Sequence, residues 1–145
     1  MRTLIVVTTL VAALAAATSA MSSGAADRST VTVGSSAYGK ILFDGRGFVL
    51  YAFTKDSRGR SACSGACATA WPPYIVKTRV RAGAGAKGSL LGVTKRSGGK
   101  LQATYAGRPL YYYVGDRKPR QILCQNANEF GGLWLVVRPS GKLVR

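Results

Sequence analysis

The chain has 145 residues, with 21 Lys plus Arg against five Asp plus Glu, three cysteines and no histidine, for a formal net charge of +16. The missing histidine excludes His-based triads, CxxCH haem attachment and ordinary imidazole ligation of zinc or copper, so neither cofactor nor metal is expected. A chain of this length carries one domain with a real core and no second one.

Residues 1–20 open with Arg2, continue as an apolar run from Leu4 to Ala17 and end in small residues around Ala20. That is the order of a secretory signal, and the run is short for a membrane span. Cleavage after Ala20, or as late as Ala26, leaves 125 or 119 residues; loss of Arg2 takes Lys plus Arg to 20 against five acids, a net charge of +15. Residues 21–36 are small and polar and read as a flexible leader.

From Ala37 the chain can be laid on itself without a gap. AYGKILFDGRGFVLYAFTKD (37–56) over SGGKLQATYAGRPLYYYVGD (97–116) gives six identities in twenty positions, among them Leu50 with Leu110, Tyr51 with Tyr111 and Asp56 with Asp116. The expectation is a single, mainly all-β antiparallel domain (37–145) of two pseudo-symmetric duplicated halves. Repeat 1 spans about 37–76, a glycine-rich basic linker 77–89, and repeat 2 about 90–145.

In the first repeat, strands are expected at Lys40–Phe43 and Phe48–Phe53 around Asp44-Gly45-Arg46-Gly47, a hairpin signal. A short helical turn near 64–70 is stopped by Pro72-Pro73. GAGAKG at Gly83–Gly88 matches GxGxxG by letter only; a strand follows it, no strong strand precedes it and no acid stands some twenty positions on, so it reads as flexible linker. Further strands follow at Leu90–Lys95, Lys100–Tyr105, Leu110–Val114, Leu133–Val137 and Lys142–Val144. Pro109 suits the first position of its strand or an edge.

Alternation on the strands puts Tyr51 and Phe53 on one face against Leu50 and Ala52, and Tyr111 and Tyr113 against Leu110 and Tyr112. Asp56 and Asp116 fall just past the strand ends, placed to accept loop amides or a tyrosine hydroxyl. The functional alternative is one joint polar site of Tyr51, Asp56, Tyr111 and Asp116, holding a hard cation or an acid and base pair. Trp71 and Trp134 read as matched core anchors, with an exposed carbohydrate platform as the alternative. An oxidising compartment makes a disulfide the default among Cys63, Cys67 and Cys124. The local Cys63 to Cys67 pair is favoured because Gly65 between them lets the loop bend, against a bridge from either to Cys124.

LYAFTKD, ACSGACATAWPP, AGRPLYYYVGD and FGGLWLVVRPSGK together resemble the bacterial family of secreted or lipid-anchored repeat proteins named for a Y-x4-D, or Yx(FWY)xxD, motif. Tyr51, Phe53 and Asp56 fill the first motif and Tyr111, Tyr113 and Asp116 the second. The resemblance implies no assigned molecular function. No cysteine precedes Cys63, so there is no lipobox, and a secreted or periplasmic protein without a lipid anchor or a remaining transmembrane span is expected.

These readings combine into an exported, non-enzymatic cell-envelope protein that binds or adheres to anionic envelope polymers or surfaces, with no specific nucleic-acid partner. Two rivals stand beside it: a redox or metal-handling protein using the cysteines with Asp56 or Asp116, and a purely structural envelope protein.

Overall fold

The computed structural model describes residues 29–145; the expected signal segment and both expected cleavage places lie outside the described residues. In chain order the strands are β1 (Thr30–Ser36), β2 (Gly39–Asp44), β3 (Tyr51–Phe53), β4 (Ile75–Val76), β5 (Arg81–Ala82), β6 (Leu91–Lys95), β7 (Leu101–Tyr105), β8 (Arg108–Pro109), β9 (Ala127–Glu129) and β10 (Gly132–Val136). Among the described residues, one short helix, α1 (Ala66–Ala70), and a 3-10 turn at Gly88–Leu90 accompany them. The fold is therefore mainly β.

The strands form three small sheets, ordered β2-β1-β5, β3-β10-β9 and β4-β7-β6, with β8 also on β7. All pairs are antiparallel except β1 with β5. Two hairpins, β1–β2 and β6–β7, hold corresponding places in the chain, with Val33 opposite Leu42 in one and Val93 opposite Ala103 in the other.

Part of the expected leader is strand. Thr30-Val31-Thr32-Val33 is β-branched throughout, which suits a pleated surface, and it pairs with β2 from Val31↔Asp44 to Ser36↔Gly39. The turn between them needs Gly39 at φ 81°, and Ser36 Oγ accepts the Tyr38 amide at 3.0 Å. The linker 77–89 is also built in. Gly83 N donates to Val31 O at 2.7 Å and Val33 N to Ala84 O at 2.8 Å. A Cβ at Gly83 would stand 2.6 Å from Thr32 Cγ2, so glycine there serves close approach to β1 and not slackness.

Leu110–Val114 forms no ladder, because its backbone groups go to different partners, and Val114 already belongs to the following turn. Tyr111 pairs with both Tyr51 and Pro73 in isolated bridges, Tyr112 N donates to Pro72 O at 2.8 Å, and Val114 N to Ala70 O at 3.1 Å. Lys142–Val144 is likewise reduced to a bridge, Val137↔Leu143, across a turn closed by Gly141 N to Arg138 O at 2.8 Å. In the first half, Phe48–Val49 keep only the bridge Phe43↔Val49 before β3 begins.

The core has two parts, and strand alternation sorts residues between them. One is aromatic, built from Tyr51, Phe53, Trp71, Tyr111 and Trp134 with Ile41, Phe43 and the Cys63–Cys67 pair. The other is largely aliphatic, with Leu42, Leu50, Ala52, Leu110 and Val137 around Tyr74 and Tyr105. Tyr51-Ala52-Phe53 is buried on both faces and lies between them.

Candidate functional site

Each motif aspartate sits in a turn that begins in its own repeat. Asp56 N donates to Phe53 O and Asp116 N to Tyr113 O, both at 3.1 Å. The carboxylates then hold the loops that follow: Asp56 Oδ1 accepts the Ala62 amide at 2.7 Å, and Asp116 Oδ1 the Leu123 amide at 2.9 Å. Their second oxygens go to the other motif copy. Tyr51 O–H donates to Asp116 Oδ2 at 2.8 Å, and Tyr111 O–H to Asp56 Oδ2 at 2.7 Å. The two tyrosines also exchange backbone hydrogen bonds, N to O at 2.9 Å in each direction. Every Y-x4-D motif in this chain is thus completed by the opposite copy.

The aromatic members exchange in the same way. Phe53 stacks on Trp134 (centroids 4.2 Å, planes 6° apart), Trp134 on Trp71 (4.1 Å, 5°), and Tyr113 leans on the far side of Trp71 (4.8 Å, 39°). Tyr51 meets Trp71 edge-on at 5.2 Å, and Tyr111 meets Trp134 edge-on at 5.0 Å. Edge-to-face contacts of this kind contribute about 0.5–1.5 kcal/mol each beyond the area they bury. Both tryptophans are 0% exposed, so neither offers a platform to a sugar. Trp71 Nε1 donates to Glu129 Oε2 at 2.8 Å and Trp134 Nε1 to the Glu129 carbonyl at 3.3 Å.

Burial dominates the electrostatics here. It raises the phenols of Tyr51 and Tyr111 above the ordinary tyrosine value, with the facing aspartates adding to the shift. Asp56 and Asp116 are also raised by desolvation, an effect only partly offset by their amide and tyrosine donors and, for Asp56, by the charge of Arg96. The Tyr113 phenol is shifted up chiefly by the Cys124 thiol beside it.

The cysteines divide two and one. Cys63 and Cys67 are bonded, with Cα atoms 5.3 Å apart, while Cys124 remains a half-buried thiol packed against the aromatic cluster. The local pairing follows from α1, which begins one residue before Cys67 and returns it toward Cys63. The Asp56 and Asp116 carboxylates are each engaged by a loop amide, of Ala62 and Leu123 respectively, and by the opposite copy's tyrosine. Among the described residues there is no group of three or more His, Cys, Asp or Glu able to hold a metal ion.

Several residues of this network carry no sequence signal. Ser61 Oγ lies 2.7 Å from the Tyr111 hydroxyl and accepts from Arg96 Nη1 at 2.7 Å. Gln125 accepts the Val136 amide at 2.7 Å and donates to Val144 O at 2.9 Å. Asp44, expected only as a turn residue, is fully buried. It accepts the amides of Arg46 and Phe48 at 2.9 Å, pairs with the Arg46 guanidinium at 2.9 Å and accepts the Tyr112 hydroxyl at 3.0 Å. The Asp-Gly pair flagged the turn; nothing flagged Tyr112, 68 residues away.

A family model described as a secreted repeat of unknown function matches the chain twice, over residues 32–74 and 92–138. The two matches begin sixty residues apart, at corresponding places in β1 and β6. No curated protein and no solved structure matches the chain. No helix among the described residues is long and apolar enough to cross a membrane.

Proposed function

From the premise that the chain belongs to this family of secreted repeats of unknown function, we propose that it is an exported binding protein that attaches through its basic surface to anionic polymers of the cell envelope. The observation that carries this reading is the direction in which the acids point. Asp44, Asp56 and Asp116 are engaged with tyrosine hydroxyls and backbone amides inside the domain, and Glu129 holds the Trp71 indole. Between described residues the one ion pair is Arg46–Asp44.

Of the four described acids, Asp44 and Asp116 are buried and Asp56 is half-buried, while Glu129 is exposed but spends its carboxylate on the Trp71 indole; with 21 basic residues in the chain, the field at the surface is dominated by positive charge. Such a field draws polyanions over roughly a Debye length, about 10 Å at 0.1 M salt. A purely structural envelope protein would need no such arrangement.

The test is retention of the purified secreted chain on an immobilised polyanion, with elution followed against ionic strength. Retention at 0.15 M salt and release in proportion to added salt is the expected result. Passage unretained at that ionic strength would leave the structural reading in its place.

A further inference from the structure

Two open clefts meet at Arg96. One lies against the loop that follows Asp56 and is lined by Arg60, Ser64, Lys95 and Ser97; the other continues past Pro72 and Pro73 to Lys100. Arg96, Ser64 and Ser97 line both, so the clefts form one groove. Among the described residues, no acidic one lines either part.

Arg96 is held rigidly by neutral groups. Its Nη1 donates to Ser61 Oγ at 2.7 Å and to Gln102 Oε1 at 2.8 Å, and its Nη2 to Cys63 O at 2.6 Å. A guanidinium has five N–H donors, so two are left without a protein acceptor among the described residues. The charge is felt by Asp56 without forming an ion pair with it. The groove's walls are fixed as well. The Cys63–Cys67 bridge closes one side, and on the other Arg96 N donates to Lys100 O at 2.8 Å and Gly99 N to Arg96 O at 3.1 Å.

The position also departs from the internal correspondence. Gly39 and Lys40 match Gly99 and Lys100, but the residue matching Arg96 is Ser36. Its hydroxyl only closes the β1–β2 turn, on the Gly39 carbonyl at 2.8 Å. The second repeat thus carries at this turn a cation that the first lacks, tied to Ser61, Gln102 and Cys63 O and still holding donors to spare.

We propose that this groove binds a linear polymer bearing phosphate groups. Arg96 is the fixed contact for one phosphate, and Arg60, Lys95 and Lys100 take its neighbours along the chain. A pre-placed fork with unused donors suits an oxyanion, because little side-chain freedom is lost on binding. Phosphate is favoured over carboxylate because its additional oxygens can accept from Ser64 and Ser97 as well as from the guanidinium. The motif then has an indirect role: Tyr111, held by Asp56, stands against Ser61, which positions Arg96.

This inference rests on the polyanion-binding reading above, and the experiment separates the two. Binding of long-chain inorganic polyphosphate and of polygalacturonate is measured by calorimetry for the intact chain. It is repeated for a groove variant (Arg60→Gln, Lys95→Gln, Lys100→Gln) and a variant of equal charge elsewhere (Arg117→Gln, Lys118→Gln, Lys142→Gln). All six side chains belong to exposed residues, so folding is not at risk.

The groove variant should lose about tenfold or more in affinity for polyphosphate, with a shallower salt dependence, while the other stays within about twofold of the parent. Arg96→Lys keeps the charge but loses the fork and its bonds to Ser61, Gln102 and Cys63 O; measured well below its lowered melting temperature, it should weaken polyphosphate binding comparably. Equal loss in both triple variants, or polygalacturonate held as tightly as polyphosphate, overturns the groove while polyanion binding stands. A parent chain that binds neither polymer overturns both.

Discussion

At the scale of single residues, the exchange of hydroxyls between motif copies makes a test that neither copy alone could provide. Removing the Tyr51 hydroxyl leaves one oxygen of Asp116, a residue only 7% exposed, without its side-chain donor. Tyr51→Phe and Asp116→Asn should each cost about 1–3 kcal/mol. In a double-mutant cycle by chemical denaturation the pair should couple by about 1 kcal/mol or more. Tyr51→Phe with Asp56→Asn should come closer to additivity, because Asp56 bonds Tyr111 and not Tyr51. Coupling within a copy that exceeds coupling between copies would contradict the exchange.

At the scale of elements, the loop from Asp56 to Trp71 depends on the disulfide and α1 together. Cys63 and Cys67 are both buried beside Trp71, whose backbone N–H donates to Cys67 O at 2.8 Å as the cap of α1. A bridge over a separation of four residues constrains little of the unfolded chain. The double change Cys63→Ala with Cys67→Ala should therefore cost about 2 kcal/mol from loop closure, before the lost sulfur packing is added. Non-reduced peptide mapping should find Cys63 crosslinked to Cys67 and Cys124 alkylated by itself. A crosslinked Cys124 would place the bond between the repeats instead.

At the scale of the whole molecule, the phenols of three buried tyrosines and one half-buried one make the fold sensitive to alkali. Tyr51, Tyr74, Tyr111 and Tyr112 are all raised by burial above the ordinary value of 10.0. A group whose folded pKa is raised contributes stability that is full below its unfolded value and is lost as pH rises toward its folded value. Unfolding midpoints should accordingly fall as pH climbs above 10.0, with tyrosinate absorbance from these four residues appearing together with unfolding. Their titration ahead of any loss of structure would show that the hydroxyls reach water in the folded state. Asp56 and Asp116 carry the same sign in the acid range. Raised by desolvation, they oppose folding increasingly as pH rises above 3.8, so acid does not unfold the domain through them.

Much of the domain could be read from residue order, because strand periodicity and turn chemistry are local. The alternation of Leu50, Tyr51, Ala52 and Phe53 assigned side chains to two faces, and those faces are the two parts of the core. The Asp44-Gly45 turn, the helical turn before Pro72 and the Cys63 to Cys67 pairing also depend on groups a few residues apart. What local order did not contain was the destination of each group. Thr30–Ser36 and the 77–89 segment look slack by composition, yet they pair with each other once β1 has been drawn onto β2. Leu110–Val114 has strand propensity, but its amides are divided among the carbonyls of Ala103, Tyr51, Pro72 and Ala70. Repetition announced that Tyr51, Asp56, Tyr111 and Asp116 matter as a set. Only packing determined that each carboxylate receives the other copy's hydroxyl, since a buried polar group takes whichever partner the fold brings within hydrogen-bond reach.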